Sequence, residues 1–93
     1  MIKSFKCKET AKIFGIGFSK KFPSSIIKNA IIKLVMLNNS KVLQDLKIPP
    51  SNHFEKLSGD RKEQYSIRIN DKYRLCFCWE DNNAYEVEIV DYH

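Results

Sequence analysis

Two arginines and a polar triplet are the residues of this chain best suited to chemistry. Arg68 and Arg74 carry planar guanidinium forks that match paired anionic oxygens. Asp91-Tyr92-His93 sets a carboxylate, a phenol and an imidazole side by side. The imidazole has an ordinary pKa near neutrality and is the natural proton-transfer group. Arg61-Lys62 adds positive charge just ahead of the first strand-like segment. Fixed cations beside proton-transfer groups suit a phosphodiester, RNA above all.

Other motifs carry less. Cys76 and Cys78 share one strand face, but Cys7, His53 and His93 are too scattered to complete a zinc site, so structural thiols are expected. His53 follows Asn52 in a loop or strand start and reads as a surface histidine. There is no phosphate-cradling glycine loop and no nucleophile elbow. No cofactor and no metal are expected.

The elements that must hold these residues follow from periodicity. After Pro50 the apolar positions recur every second residue. Tyr65, Ile67 and Ile69 form one series, Tyr73, Leu75, Phe77 and Trp79 a second, and Tyr85, Val87 and Ile89 a third. Three antiparallel strands are expected. Their apolar faces coincide if Ile69 pairs with Tyr73 across Asn70-Asp71-Lys72, and Trp79 with Tyr85 across Asp81-Asn82-Asn83. Arg68 then lies opposite Arg74, which faces Val90 with Glu88 and Tyr92 on its diagonals. Opposed like charges cost stability unless something neutralises them. A phosphate between the two arginines, with Tyr92 at its edge, would do so. The alternative is that Glu88 neutralises Arg74 while Arg68 points into water.

The front half reads as helical. Ile2 to Phe5 suits a short edge strand, and Lys8 to Phe14 a brief helix stopped by Gly15 and Gly17. Ile26, Ile27, Ala30, Ile31, Leu34, Val35 and Leu37 form the stripe of a main helix over about 24–38. Val42 to Leu46 suits one further turn capped by Ser40. Together these elements predict an α+β fold, with N-terminal helices packed on a small antiparallel sheet, in one domain spanning 1–93. Charge is uneven: residues 1–33 hold eight lysines against one glutamate, and residues 63–93 three basic side chains against seven acidic. A basic front half suits a polyanion. No apolar run is long enough to span a membrane and no signal-peptide stretch opens the chain, so a cytoplasmic location is expected.

An ordered set of segments carries a resemblance. Ile2 to Thr10, Pro49-Pro50-Ser51-Asn52, Gly59-Asp60-Arg61-Lys62, Tyr65 to Asn70, Tyr73 to Phe77 and Ala84 to His93 together resemble the HigB branch of the RelE/ParE toxin superfamily. Ser58 stands where such proteins often carry Lys, Glu55 where some carry His, and Glu63 where Gly is common. The resemblance implies a RelE-like toxin of a type II toxin–antitoxin system, acting as a ribosome-dependent mRNA endoribonuclease. It also implies a HigA-like helix-turn-helix antitoxin and contact with operator DNA through the antitoxin complex. In such an enzyme His93 and Tyr92 would move protons, with Tyr92 also able to stack on a base. Arg68 and Arg74 would bracket the phosphate, and Asp91 would orient His93 or cap the strand. Arg61, Lys62, Lys6, Lys8 and Lys72 would grip RNA. A ParE-like gyrase inhibitor and a catalytically inactive relative that only binds antitoxin are the competing readings.

Overall fold

The computed structural model describes residues 1–57 and 64–91. Helix α1 spans Lys8–Ile16, and α2 spans Ser24–Asn39. α1 ends where Gly17 takes a left-handed conformation (φ 72°) and its amide bonds back to the Ile13 carbonyl. Pro23 starts α2, as its fixed φ favours. Two short 3₁₀ turns follow, Leu43–Lys47 and Pro50–Asn52. The first is not capped by Ser40, whose hydroxyl instead donates to the Met36 carbonyl at the end of α2. The Asp45 carboxylate accepts the Lys41 and Val42 amides in its place.

The sheet has four strands rather than three: β1 (Glu55–Lys56), β2 (Gln64–Arg68), β3 (Tyr73–Glu80) and β4 (Asn83–Asp91), all antiparallel in that order. β1 is a two-residue edge with both side chains exposed, so it leaves no periodic trace. The expected edge strand at Ile2–Phe5 lies along β4 in parallel, through single bridges at Ala84 and Val87. The helices supply Ile13, Ile26, Ala30, Leu34 and Leu37 to the core, the strands supply Ile67, Leu75, Phe77, Ala84, Val87 and Ile89, and Phe22, Leu46 and Ile69 join from the connecting segments.

The β2–β3 register is the expected one, with Arg68 opposite Arg74. The β3–β4 hairpin is not closed by a three-residue loop. Asp81 and Asn82, both at positive φ, form a two-residue turn that pairs Glu80 with Asn83 and Trp79 with Ala84. Ala84, not Tyr85, therefore takes the core position. A bulge then restores the predicted register. Glu86 (φ 53°) and Val87 together oppose Phe77, and beyond them Arg74 faces Val90 as expected. Val87 exchanges backbone hydrogen bonds with Ser4 and Lys6, and the Glu86 amide donates to the Ser4 hydroxyl.

Candidate functional site

The arginine pair sits at the end of the sheet where β2 turns into β3. Asn70 accepts the amides of Lys72 and Tyr73 through its side chain (both 2.8 Å), which fixes the turn. The backbone therefore presents Arg68 and Arg74 from facing positions on one side of the sheet. Arg74 is buried. Its Nε donates to the Ser66 hydroxyl at 2.9 Å, and its Nη2 donates to the His53 carbonyl. Arg68 is more open and does not simply point into water: it forms an ion pair with Asp71, three residues along the turn. The Glu88 carboxylate, expected in one reading to neutralise Arg74, lies 3.6 Å from Lys6 Nζ.

His53 completes the cleft: it is exposed, as a surface histidine should be, yet it lies against both arginines. It follows the 3₁₀ turn at Pro50–Asn52 in a left-handed conformation (φ 43°). That conformation turns its carbonyl to Arg74 and brings Nε2 to 3.4 Å from Arg68 Nη1. A guanidinium only donates, so a hydrogen bond between these two groups requires Nε2 as the acceptor. His53, Arg68, Asn70, Asp71 and Arg74 line a shallow cleft of about 240 Å³. The chain signals His53 only weakly: a histidine two residues past Pro50-Ser51 has no periodic partner, and its neighbours come from β2 and β3.

Asp91 lies opposite Tyr73 at the same sheet end, 3.9 Å from Lys72 Nζ. Lys72 also stands over the Tyr73 ring, 5.9 Å from its centroid. Lys6 joins the arginine face through Glu88, which pairs opposite Cys76. Lys8 opens α1 on the β4 side, two residues before Thr10, whose hydroxyl accepts the Ile89 amide. Arg61, Lys62, Tyr92 and His93 lie outside the described residues. The three cysteines are free thiols, and no group of metal-ligating side chains occurs among the described residues. No helix of the described residues is long and apolar enough to cross a membrane.

The cleft thus offers two guanidinium groups and an imidazole to one small anion. A family model described as the RelE-like toxin of type II toxin–antitoxin system HigB matches residues 3–93. Toxin HigB-1 of Vibrio cholerae is 47% identical over 62 residues, covering 67% of this chain. The match spans just under two thirds of that relative, 65%. Endoribonuclease HigB of Proteus vulgaris is 28% identical, with all of both chains covered. The fold is similar to that of a chain in the heterotetrameric YoeB-YefM toxin–antitoxin complex of Staphylococcus aureus, with a TM-score of 0.62 and 20% identity over 100% of this chain and 98% of that one.

Proposed function

The chain belongs to the HigB-like family of RelE-like toxins from type II toxin–antitoxin systems, and on that footing we propose that it is an endoribonuclease that cuts mRNA on the ribosome. The observation that carries this reading is the convergence of Arg68, Arg74 and His53 on one cleft. The 2′-hydroxyl of the substrate attacks the adjacent phosphate, so the protein must place a base at the 2′-oxygen, an acid at the leaving 5′-oxygen and positive charge at the phosphorane. Arg74, fixed by Ser66 and the His53 carbonyl, holds the phosphate in a set orientation. Arg68 exchanges Asp71 for the second phosphate oxygen. Preorganised charge of this kind is worth about 10²–10³-fold per donor.

His53 and His93 are the two proton-transfer groups, each worth about 10²–10⁴-fold. Tyr92 stacks on a base splayed from the strand. Asp91 orients this segment. Arg61, Lys62, Lys6, Lys8 and Lys72 add sequence-independent grip on RNA. The ribosome supplies the strand geometry that a shallow cleft cannot impose alone.

A HigA-like helix-turn-helix antitoxin holds the protein inactive from the lysine-rich helical side and carries the pair to operator DNA. The name of the YoeB-YefM complex supports a toxin–antitoxin pairing. The protein acts in the cytoplasm, where the ribosome is. Mapping the 5′ ends of cellular mRNA after expression without antitoxin tests the whole reading. New ends within translated codons are expected. Growth arrest with unchanged ends and altered DNA supercoiling would replace it with gyrase inhibition.

A further inference from the structure

A second hollow of about 570 Å³ adjoins the arginine cleft. Asn29, Ile32 and Lys33 of α2 wall one side of it and Ser51 another. Arg68, Asn70 and Asp71 line both hollows, so the two are neighbours. Lys33 supplies the ammonium group here. Its Nζ donates to the side-chain oxygen of Asn52. Asn52 is fully buried, and its own amide is committed to the Leu46 carbonyl (3.0 Å) and the Met36 sulfur (3.1 Å). Lys33 is therefore held by a rigid acceptor.

That acceptor is neutral. Among the described residues no carboxylate lies within ion-pair reach of Lys33, although the chain's other contacts include four such pairs. Half-buried, the ammonium loses hydration without gaining a counter-ion, and this desolvation draws its pKa down. A cation kept in that condition by a fixed amide oxygen is prepared for an anion from outside. Asp71 stands between the hollows, ion-paired with Arg68 and 94% exposed, so it can turn outward as a strand enters. Ile32 offers an exposed apolar surface suited to a ribose.

We propose that Lys33 binds a second backbone phosphate of the RNA strand, next to the phosphate held at Arg68 and Arg74. This rests on the RNA-cleaving reading above and extends the substrate path from the sheet end onto α2. A carboxylate of a partner protein is the competing occupant, and the test separates the two.

The experiment titrates the protein with 2′-O-methyl oligonucleotides, a dinucleotide with one phosphate and a trinucleotide with two, followed by NMR. The native protein should bind the trinucleotide about tenfold more tightly, the worth of one charge-assisted contact. The salt dependence should steepen by about 0.7 in log–log slope for the added phosphate. Lys33→Gln keeps an N–H donor for Asn52 and should erase both gains while leaving dinucleotide affinity unchanged. Lys33→Arg should retain them. In the native protein the Lys33 Cε resonance should shift with the trinucleotide only, which needs no variant to fold. A trinucleotide gain that persists in Lys33→Gln overturns the site while leaving the RNA-cleaving reading intact. So does a Lys33→Gln protein that binds RNA normally but loses antitoxin affinity. Binding of neither oligonucleotide to the native protein overturns this site, while the RNA-cleaving reading, in which the ribosome imposes the strand geometry, stands or falls on the 5′ ends of cellular mRNA.

Discussion

Arg74→Ala should affect both folding and cleavage, and the structure separates the two effects. The guanidinium is buried and donates to Ser66 Oγ and to the His53 carbonyl. Hydrogen bonds made by charged groups are worth about 1.5–3 kcal/mol each. Removing both leaves one buried and one part-buried acceptor without these donors, but it also relieves the desolvation of a buried cation, which offsets part of the loss. A net destabilisation of about 2–4 kcal/mol is expected, read from urea unfolding with an unchanged slope. Cleavage should fall about 10²–10³-fold, equivalent to about 2.7–4 kcal/mol at the transition state. The assay uses ribosomes programmed with a defined codon, below the temperature at which the variant begins to melt. Arg74→Lys should recover part of the rate and little of the stability, because a single ammonium cannot span Ser66 and His53 together. A folded Arg74→Ala protein that cuts at the native rate would refute the electrostatic role. Unchanged unfolding free energy would refute the hydrogen-bonding account of its burial.

Three further outcomes are expected. His53→Gly relieves a left-handed conformation (φ 43°) that a non-glycine residue holds at a cost of about 1 kcal/mol, so it should melt at or above the native temperature while cutting about 10²-fold or more slowly; an unimpaired rate would remove the imidazole from the chemistry. Deleting Tyr92 and His93 takes away no residue of the core described here, whose last member is Ile89, so stability should change by about 1 kcal/mol or less while cleavage is abolished; a truncated protein that still cuts on programmed ribosomes would exclude both. The Asp45 carboxyl is held below its ordinary pKa by the Lys41 and Val42 amides, so its contribution is present above about pH 4 and is lost as acid protonates it through the lowered value; Asp45→Asn should flatten the acid limb of the stability curve, and identical limbs in the two proteins would exclude that cap.

What the chain discloses in advance is whatever repeats. The alternation around Ile67, Leu75 and Ile89 predicts the strands, and the turn Asn70-Asp71-Lys72 leaves one register that keeps every apolar side chain inward, so Arg68 must meet Arg74. The stripe from Ile26 to Leu37 predicts α2 to within a residue or two. What it withholds is single and non-periodic. β1 is two exposed residues that become a strand only because β2 is there to pair with them. The bulge at Glu86 is one residue, and alternation alone assigns Tyr85 to the wrong face. His53 reaches the arginines through contacts 15 and 21 residues away in sequence, which no local pattern encodes.

The bulge also divides the β3–β4 hairpin into two pairing registers, and the N-terminal segment spans them, bonded to Ala84 on one side and to Val87 on the other. On the turn side, Asp81 and Asn82 set the pairing of Trp79 with Ala84. On the other side, the pairing of Arg74 with Val90 and of Tyr73 with Asp91 begins afresh after Val87, which is fastened from outside by the backbone of Ser4 and Lys6. The exposed tip at Asp81 and Asn82, at the opposite end of the strands from Arg74, is the place to graft a foreign loop or a fluorescent label, whereas an alteration at Ser4, remote in sequence, would be felt at Glu86 and Val87.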